Sequence, residues 1–535
     1  MTKFIFVTGG VLSSVGKGIL TSSVGKMLQA RGYSVSVVKI DPYVNVDAGT
    51  MNPYMHGEVF ITEDGGETDL DLGHYERFLD VYIPKYNNIT TGQIYASVIQ
   101  KERKGEYLGR CVQIIPHITN EVQDRITSAA KMAETDVLLI EVGGTVGDIE
   151  SLPFLEAARQ LRLTVGYENT LFIHLALVPI LDVTKEQKSK PFQHSVQELR
   201  RIGVQPDILV GRCRDPLEES IRLKLSLFGS VPCEGVFSSS DMENIYQLPM
   251  ELDRQGMGAY ITKRLCMEHT AADWASWSET VKSFQKYPKT VRVAMCGKYT
   301  KLADSYVSIT EAVHRAAAKV GVNASVEWVE STDFEEHPEM VSSLEQYQGI
   351  MVLPGFGSRG TEGKIKAIGF AREHKKPFLG ICFGFQLAVV EFARSVLGYN
   401  DANTTEVNPN TSCPIVDLLP EQKNINALGG TMRLGAYKIL LEPGTLPNRL
   451  YNCAEVFERH RHRYEVNPSY WAELQKAGMV LSGWSADRKR VEFMELPDHP
   501  FFLGTQSHPE FKSRAVRPSP PYVGFIEACF HQMST

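Results

Sequence analysis

Short runs of aliphatic and β-branched residues alternate along this chain with longer amphipathic stretches, and this alternation constrains the fold more than any other feature. At the N-terminus it predicts a buried strand over Phe4–Val7, a helix over Gly16–Ala30 and a second strand over Val35–Lys39. Further strands are predicted over Val137–Val142, Leu171–Val178 and Asp207–Val210. Strands separated by helices pair in parallel, because parallel neighbours need a crossover connection. We therefore expect an α/β fold built on a doubly wound, mostly parallel sheet.

The alternation restarts near residue 290. A strand is predicted over Val291–Cys296, a helix from about Ser305 to Val320, and strands over Ser325–Val329, Gly349–Leu353 and Phe378–Ile381. The preceding stretch is polar, contains Trp and Tyr, and lacks a strand pattern. The sequence therefore predicts two doubly wound α/β domains, over residues 1–266 and 291–535, joined by a linker over residues 267–290.

The composition is that of a globular protein and argues against several classes of function. With 535 residues, 43% of them hydrophobic, the chain can bury large cores without disulfides. The net charge of −7 argues against coating a polyanion, and no apolar run is long enough to span a membrane, so neither nucleic acid nor a membrane is an expected partner. The nine cysteines are scattered and include no CxxC pair, which favours a reducing, cytoplasmic location.

A glycine-rich segment joins the first predicted strand to the first predicted helix. It reads Thr8-Gly-Gly-Val-Leu-Ser-Ser-Val-Gly-Lys17-Gly. The backbone N–H groups of such a turn, the helix N-terminus and a lysine together favour a triphosphate. The segment is one residue longer than the usual phosphate loop, and Gly18 replaces the usual Ser or Thr. We therefore expect a nucleotide site whose metal ion is held chiefly by other groups.

Two acidic residues are candidate ligands for that metal. Asp71 lies in the acid-rich stretch Glu67–Glu76, and Glu141 lies at the carboxyl end of a predicted strand, the edge where parallel sheets bind ligands. Mg²⁺ takes one or two carboxylates together with phosphate oxygens, so Asp71 and Glu141 would suffice. A cluster of lysines near residues 185–190, with Lys224 on a later helix, is interpreted either as a solvated face or as a site for the phosphates of a second nucleotide.

The second predicted domain contains a G-x-C-x-G turn around Cys382, between a strand and a helix. This is the nucleophile elbow with cysteine in place of serine, and the following helix N-terminus lowers the pKa of a thiol there and supplies an oxyanion donor. His508 and Glu510 offer the base and the acid that orients it. The loop after Leu353, with Gly355, is expected to supply a second oxyanion donor. These residues predict a Cys-His-Glu acyl-transfer site.

The run Glu458–Tyr464 alternates Arg with His. A nucleic-acid patch would need a wider basic surface, so we interpret the run as cations that bind a substrate carboxylate. His460 and His462 are spaced for one face of a strand, but no third ligand is evident for zinc.

Together these motifs resemble one enzyme family. The second domain resembles the class I, triad-type glutamine amidotransferases, and the whole chain resembles the CTP synthase family almost from end to end. The segments that carry the resemblance are Gly9–Ile19, Lys39–Tyr43, His56–Phe60, Glu67–Phe78, Glu141–Pro153, Lys188–Val196, Gly380–Gln386, Gly429–Gly435, Glu458–Val466 and His508–Phe511.

The resemblance implies that the first domain is an amidoligase that binds ATP, Mg²⁺ and UTP, with Asp71 and Glu141 on the metal and Lys39 near the transferring phosphate. The implied ATP residues are Ser14, Val15, Gly16, Lys17, Gly18, Ile19, Asp71, Ser240, Asp241 and Met242. The residues implied for UTP, or for CTP as feedback inhibitor, are Ser13, Asp148, Ile149, Glu150, Lys188, Ser189, Lys190, Pro191, Phe192, Gln193 and Lys224.

For the second domain the resemblance implies hydrolysis of L-glutamine by Cys382, His508 and Glu510. The implied glutamine residues are Gly355, Phe383, Gly384, Phe385, Gln386, Glu406 and Arg463. Ammonia would pass internally, with His56 near the tunnel gate. GTP is the implied allosteric activator and a homotetramer the implied assembly.

Two departures from the family pattern bear on these expectations. The loop Pro354-Gly355-Phe356-Gly357 has one glycine fewer than the usual family loop, and the stretch between Pro420 and Leu428, in a region linked to GTP activation, is short. Two readings of other classes stay open on the sequence. One is a regulatory P-loop ATPase fused to an inactive glutaminase-like binding domain, and the other is a structural protein that forms filaments.

Overall fold

A computed structural model of the chain describes residues 1–51, 56–268, 270–298, 303–355, 357–418 and 432–533. The chain divides into two compact units, one made of Met1–Thr50 and Asp71–Lys282 and the other of Met51–Leu70 and Ser283–Thr535. The segment 51–70, which lies within the first predicted domain, thus belongs to the second unit. The region predicted as a linker contains a helix over Ala275–Ser283. The domain boundaries given above stay predictions.

The strands are numbered here in chain order. In the first unit, together with the short hairpin of segment 51–70, they are β1 (Lys3–Gly10), β2 (Val35–Asp41), β3 (Phe60–Ile61), β4 (Glu67–Thr68), β5 (Asn88–Thr90), β6 (Val137–Val142), β7 (Thr170–Leu177), β8 (Ile208–Cys213) and β9 (Val236–Ser240). In the second unit they continue with β10 (Thr290–Gly297), β11 (Asn323–Glu330), β12 (Gly349–Val352), β13 (Phe378–Ile381), β14 (Ala402–Thr404), β15 (Cys413–Asp417), β16 (Arg433–Leu441), β17 (Glu455–His462), β18 (Glu465–Val466), β19 (Val480–Ser485), β20 (Val491–Glu495) and β21 (Phe502–Thr505).

The α-helices among the described residues are numbered in the same way. They are α1 (Lys17–Gln29), α2 (Asp71–Leu79), α3 (Thr91–Arg103), α4 (Thr119–Ala133), α5 (Leu152–Val165), α6 (Lys190–Arg201), α7 (Glu219–Gly229), α8 (Leu248–Arg254), α9 (Met257–Arg264), α10 (Ala275–Ser283), α11 (Val307–Val320), α12 (Ser331–Glu336), α13 (Thr361–Glu373), α14 (Phe383–Ser395), α15 (Leu446–Tyr451), α16 (Trp471–Lys476) and α17 (Pro520–Gln532). Within the parts of the chain described above, no helix is long and apolar enough to cross a membrane.

The sheet of the first unit has seven strands in the order β5-β2-β6-β1-β7-β8-β9, and neighbouring strands pair in parallel. Its central strands are buried over all but a terminal residue, as is expected where helices cover both faces of a parallel sheet. The α/β prediction is confirmed, and the loops that carry the predicted nucleotide residues follow the carboxyl ends of β1, β6 and β9.

The main sheet of the second unit has nine strands in the order β11-β10-β12-β13-β21-β20-β19-β16-β17. The strands from β11 to β21 pair in parallel, which is the predicted arrangement. The strands from β21 to β17 pair antiparallel. This antiparallel half was not predicted. It arises because β19, β20 and β21 follow one another without the crossover helix that parallel pairing requires.

Candidate active sites

The glycine-rich turn between β1 and α1 brings Lys17 to the start of the helix. Val11 and Ser14 adopt positive φ angles of 77° and 55°, so the turn is tightly wound. Lys17 is buried, and its Nζ donates a hydrogen bond to the Gly144 carbonyl oxygen at 2.8 Å. Burial lowers the pKa of Lys17, and the nearby Glu141 carboxylate opposes that shift. The turn therefore places a buried ammonium group beside backbone N–H groups at a helix N-terminus, as a triphosphate site requires.

The structure gives a physical reason for glycine at position 18. A Cβ atom on Gly18 would lie 2.2 Å from Oδ1 of Asp71, so any side chain there would force the Asp71 carboxylate to move. Asp71 begins α2, so its carboxylate occupies the space that the Ser or Thr of a usual phosphate loop would fill. The glycine that departs from the usual motif therefore leaves room for the carboxylate that was predicted as a metal ligand.

Lys39 at the end of β2 joins the two predicted metal ligands. Its Nζ forms ion pairs with Asp71 and, at 3.0 Å, with Oε1 of Glu141. Tyr75 donates a hydrogen bond from its Oη to Oε2 of Glu141 at 2.5 Å. Lys39, Tyr75 and Glu141 are buried. The two carboxylates predicted from separate parts of the sequence therefore meet around one lysine.

The pKa shifts in this cluster favour an ionised Asp71. Burial acts to raise the pKa of Asp71, but Lys39, His74 and Lys17 together outweigh burial and the pKa falls to about 2. Burial raises the pKa of Glu141, opposed by Lys39, and burial also holds the pKa of Tyr75 well above its usual value, so its phenol stays a donor. Across the described ranges, no cluster of three or more His, Cys, Asp or Glu forms a complete metal site. A metal ion bound by Asp71 and Glu141 would therefore need further oxygen ligands, such as phosphates.

A cavity of about 450 Å³ lies where β7, β8 and β9 end, and three predicted ATP residues line it. These are Ser14, Val15 and Asp241, and Asp241 forms an ion pair with Arg212 at 2.6 Å. The volume is in the usual range for ligand sites. Gly16 precedes α1, Gly18 and Ile19 lie in its first turn, Ser240 ends β9 and Met242 follows Asp241.

The residues predicted for UTP fall in several places. Ser13 is exposed on the glycine-rich turn, and Asp148, Ile149 and Glu150 are exposed after β6. Lys188 pairs at 2.5 Å with Glu186, which also interacts with Lys224, so these two lysines share one acidic neighbour. Ser189, Lys190, Pro191 and Gln193 lie at the start of α6, where Gln193 donates to Oγ of Ser189 at 3.0 Å. Phe192 instead packs fully buried in the apolar core between α6, α7 and the sheet.

One buried polar group beside the glycine-rich turn was not predicted. His174 on β7 is fully buried, and its two ring nitrogens lie 2.9 Å from Oγ1 of Thr8 and 2.8 Å from Oγ of Ser195. Burial lowers its pKa to about 3, so the ring is neutral. This network ties β1, which leads into the turn, to α6, which carries predicted UTP residues.

In the second unit, Cys382 forms the predicted elbow between β13 and α14. It adopts φ 53° and ψ −101°, a strained conformation for a residue with a side chain. A Cβ atom on Gly384 would lie 2.1 Å from the Val352 carbonyl oxygen, so the second glycine of G-x-C-x-G is required for packing. The Sγ atom of Cys382 lies 3.7 Å from the Arg461 carbonyl oxygen and 3.8 Å from Nε2 of Gln506.

His508 and Glu510 form the predicted pair beside this elbow. Nδ1 of His508 lies 2.7 Å from Oε1 of Glu510, and Tyr522 donates to Oε2 of Glu510 at 3.2 Å. Burial lowers the pKa of His508, but Glu510 and Cys382 raise it more strongly, to about 10. Nε2 of His508 is buried without a hydrogen-bond partner among the described residues, although His508 and Cys382 interact electrostatically. This is the arrangement of a cysteine nucleophile with an oriented imidazolium.

The loop after β12 is held by two lysines. Lys364 on α13 is fully buried and donates from Nζ to the Leu353 carbonyl oxygen at 2.8 Å, and Lys298 donates to the Gly357 carbonyl oxygen at 3.0 Å. The Gly357 N–H donates to Oε1 of Glu406 at 2.8 Å, which brings a predicted glutamine residue to this loop. Burial, assisted by Lys298, lowers the pKa of Lys364 to about 7. Gly355 lies between these contacts, and Phe356 lies outside the described residues.

Three other predicted glutamine residues also lie next to the elbow. Phe383, Phe385 and Gln386 are buried on α14, where Gln386 donates to the Tyr464 carbonyl oxygen at 2.9 Å. Oε1 of Gln386 is buried without a hydrogen-bond partner among the described residues. Arg463 follows β17, close in sequence to Arg461. His56 is exposed and precedes β3, and the segment 420–428 lies outside the described residues.

Comparison with known proteins decides the family. Residues 3–267 match the family described as CTP synthase N-terminus, and residues 301–528 match glutamine amidotransferase class-I. A protein named CTP synthase from Saccharolobus solfataricus is 58% identical over 98% of this chain and 99% of its own length. The chain belongs to the CTP synthase family.

Two further similarities were found. A CTP synthase from Pyrococcus furiosus is 55% identical over 99% of this chain and 98% of its own length. A solved structure described as the Trypanosoma brucei CTPS glutaminase domain with bound acivicin is 35% identical, covering 45% of this chain and 94% of that chain with a TM-score of 0.43.

Sequence reasoning missed several side chains that complete both sites. The motifs did not single out Tyr75, His174, Gln506 or Tyr522. Each of these side chains reaches its site through the tertiary fold. Lys364 is one lysine among many in the sequence, and only its complete burial distinguishes it.

Proposed function

We propose that this chain makes CTP from UTP, with ATP as co-substrate and glutamine as nitrogen donor. The observation that carries the proposal is the buried Cys382 elbow beside the His508–Glu510 pair, in one chain with the Lys17 turn. Full-length similarity to proteins named CTP synthase supports the same reaction.

In the glutaminase reaction, the Cys382 thiolate attacks the amide carbon of glutamine. The imidazolium of His508 then donates its Nε2 proton to the departing nitrogen, which leaves as ammonia. Water hydrolyses the thioester to glutamate. Glu510 accepts from Nδ1 of His508 and keeps the ring oriented, which is the role of the third group in such a triad. Among the described residues, Oε1 of Gln386 is buried without a hydrogen-bond partner, and Nε2 of His508 faces Cys382, so both atoms can serve a bound substrate.

In the amidoligase reaction, the γ-phosphoryl group of ATP is transferred to O4 of UTP. Ammonia then displaces the phosphate from C4, which gives CTP and phosphate. Lys17 neutralises charge on the transferring group, because phosphoryl transfer depends chiefly on positioning and charge stabilisation. Arg212 and Asp241 line the cavity proposed for ATP.

The proposed cofactor is Mg²⁺ held by Asp71 and Glu141. The donor set fits, because both groups are carboxylates and Asp71 stays ionised well below neutral pH. When bound, Mg²⁺ neutralises phosphate charge during transfer. Lys39 keeps the two carboxylates together and offsets their mutual repulsion.

Regulation and assembly are proposed from the family resemblance. We propose CTP as a feedback inhibitor that competes with UTP, because the two share a ribose and a triphosphate that Lys188, Lys190 and Lys224 would bind alike. GTP is the proposed activator and a homotetramer the proposed assembly. The nine cysteines are free thiols, which supports a cytoplasmic location.

A direct assay tests the proposal. The purified chain is incubated with UTP, ATP, Mg²⁺ and glutamine, with and without GTP, and CTP, ADP and glutamate are quantified by chromatography. We expect CTP, ADP and glutamate to form in step, and GTP to raise the glutamine-dependent rate. ATP hydrolysis without CTP formation would favour the regulatory ATPase reading instead.

A further inference from the structure

The strand β17 connects the short hairpin Phe60–Thr68, formed by β3 and β4, to both catalytic residues of the glutaminase. β17 lies at the edge of the nine-stranded sheet, so the carbonyl groups on its outer side are not used in the sheet. The Arg459 carbonyl oxygen accepts from the His508 N–H at 2.7 Å. The Arg461 carbonyl oxygen lies 3.7 Å from Sγ of Cys382. Residues two apart on one strand thus fix the base and the nucleophile.

The side chains of the same two arginines hold the hairpin. Nη1 of Arg459 donates to the Ile61 carbonyl oxygen at 2.7 Å, and Nε of Arg461 pairs with Oε1 of Glu67 at 2.8 Å. Arg459 is fully buried and Arg461 is largely buried, so these contacts are shielded from solvent. The hairpin therefore contacts both positions of β17 that touch the catalytic residues.

The hairpin also reaches His508 by a second route. Phe60 packs edge-on against Phe511 with ring centroids 5.2 Å apart, and Phe511 stacks on the His508 ring at 5.2 Å. Lys512 pairs with Glu63 in the hairpin turn at 3.0 Å. Both the backbone and the ring of His508 are thus supported by residues that the hairpin contacts.

We infer that the Phe60–Thr68 hairpin is a positioning element of the glutaminase, which sets the relative placement of Cys382 and His508 through Arg459, Arg461 and Phe511. The inference rests on the proposed roles of Cys382 and His508. The hairpin belongs to the same compact unit as those residues.

The test uses Glu67→Gln, which removes the charge that pairs with Arg461, and Phe60→Leu, which removes the ring packed on Phe511. The matched control is Glu455→Gln, at the far end of β17 from Arg459 and Arg461. It breaks the 2.6 Å pair of Glu455 with Lys438 on the neighbouring strand β16. Glutamine hydrolysis, its pH profile, the rate of Cys382 alkylation by iodoacetamide and CTP formation from ammonium are measured on each full-length variant.

We expect both hairpin variants to lower kcat for glutamine hydrolysis by about tenfold or more, with KM changed less, because misplacing reacting groups by about 1 Å can cost about a hundredfold. Alkylation of Cys382 should slow and the pH profile should shift, while Glu67→Asp should recover part of the rate. CTP formation from ammonium and the Glu455→Gln control should stay within about twofold of the wild-type rates.

Wild-type hydrolysis kinetics and alkylation in folded Glu67→Gln and Phe60→Leu would overturn the inference. Equal loss of the ammonium reaction would also overturn it, because the defect would then be general. A wild-type chain that does not hydrolyse glutamine, or whose hydrolysis survives Cys382→Ala, would instead contradict the proposed function itself. The two failures are therefore distinguishable.

Discussion

The backbone N–H of Cys382 donates to the Thr505 carbonyl oxygen at 2.7 Å. This bond continues the parallel pairing of β13 with β21 by one residue beyond Ile381. Cys382 follows β13 and His508 follows β21, so the pairing of two neighbouring strands carries the nucleophile and its base to the same edge of the sheet. The fold thus brings together two residues that lie far apart in the sequence.

Glu510→Gln should move the alkaline limb of glutamine hydrolysis to lower pH. Glu510 is the strongest influence that raises the pKa of His508, to about 10, so the wild-type imidazolium keeps its proton until the pH approaches that value. The neutral amide still accepts from Nδ1 but no longer stabilises the charge, so the pKa of His508 falls and the proton donor is lost earlier. The pH dependence of kcat measured from pH 6 to about 10.5 checks this. The control is Glu442→Gln, which removes the carboxylate of an exposed ion pair with Arg488. An unchanged alkaline limb in Glu510→Gln would show that Glu510 does not set the pKa of His508.

Gly18→Ala should abolish CTP formation from both glutamine and ammonium. A Cβ atom at this position would lie 2.2 Å from Oδ1 of Asp71, so either α1 or Asp71 must move. The control is Ser23→Ala on the same helix, which removes a hydrogen bond to the Ile19 carbonyl oxygen. CTP formation is measured in steady-state assays with each nitrogen donor. Near-normal activity of a folded Gly18→Ala enzyme would show that the close approach of Gly18 to Asp71 is not required for the reaction.

Asp71→Asn and Glu141→Gln should each remove CTP synthesis with either nitrogen donor and weaken Mg²⁺ binding measured by calorimetry in the presence of ATP. Each substitution removes one of the two carboxylates that meet at Lys39. Hydrolysis of glutamine should persist in part, because Cys382 belongs to the other compact unit. Near-normal synthesis by either variant at saturating Mg²⁺ would exclude that residue as a ligand.

Lys364→Met should reduce glutamine hydrolysis and leave the ammonium reaction near the wild-type rate. The substitution leaves the buried Leu353 carbonyl without its donor, and an unmade buried hydrogen bond costs about 1–3 kcal/mol. The loop that carries Gly355 then loses its support. Lys366→Met is the matched control, because Lys366 lies on the same helix and donates to the Phe334 carbonyl oxygen instead. Equal effects of the two substitutions on hydrolysis would contradict a specific role for Lys364.

The strands and helices around both sites could be predicted from the sequence because their patterns are local. The strand over Val137–Val142 and the helix after Lys17 follow from runs of apolar residues, and the Cys382 turn follows from its two glycines. The resemblance to the CTP synthase family then predicted the reaction. Relatives that are similar over their full length support that prediction.

Features that depend on contacts between distant segments could not be predicted from the sequence. The run around Arg459 and Arg461 was interpreted as binding a substrate carboxylate, but both side chains contact the Phe60–Thr68 hairpin. Nothing local distinguishes Lys364 from an exposed lysine, since its burial results from how α13 packs. The position of segment 51–70 in the second unit likewise follows from tertiary packing.

The most direct measurement compares the two nitrogen donors in Cys382→Ala. The substitution removes the thiol at the elbow and leaves the Lys17 turn, in the other compact unit, unchanged. We expect CTP formation from glutamine to vanish and CTP formation from ammonium at alkaline pH to stay close to the wild-type rate, whereas Lys17→Ala should remove both. Loss of the ammonium reaction in a folded Cys382→Ala enzyme, or survival of the glutamine reaction, would contradict the division of the two chemistries between the two sites.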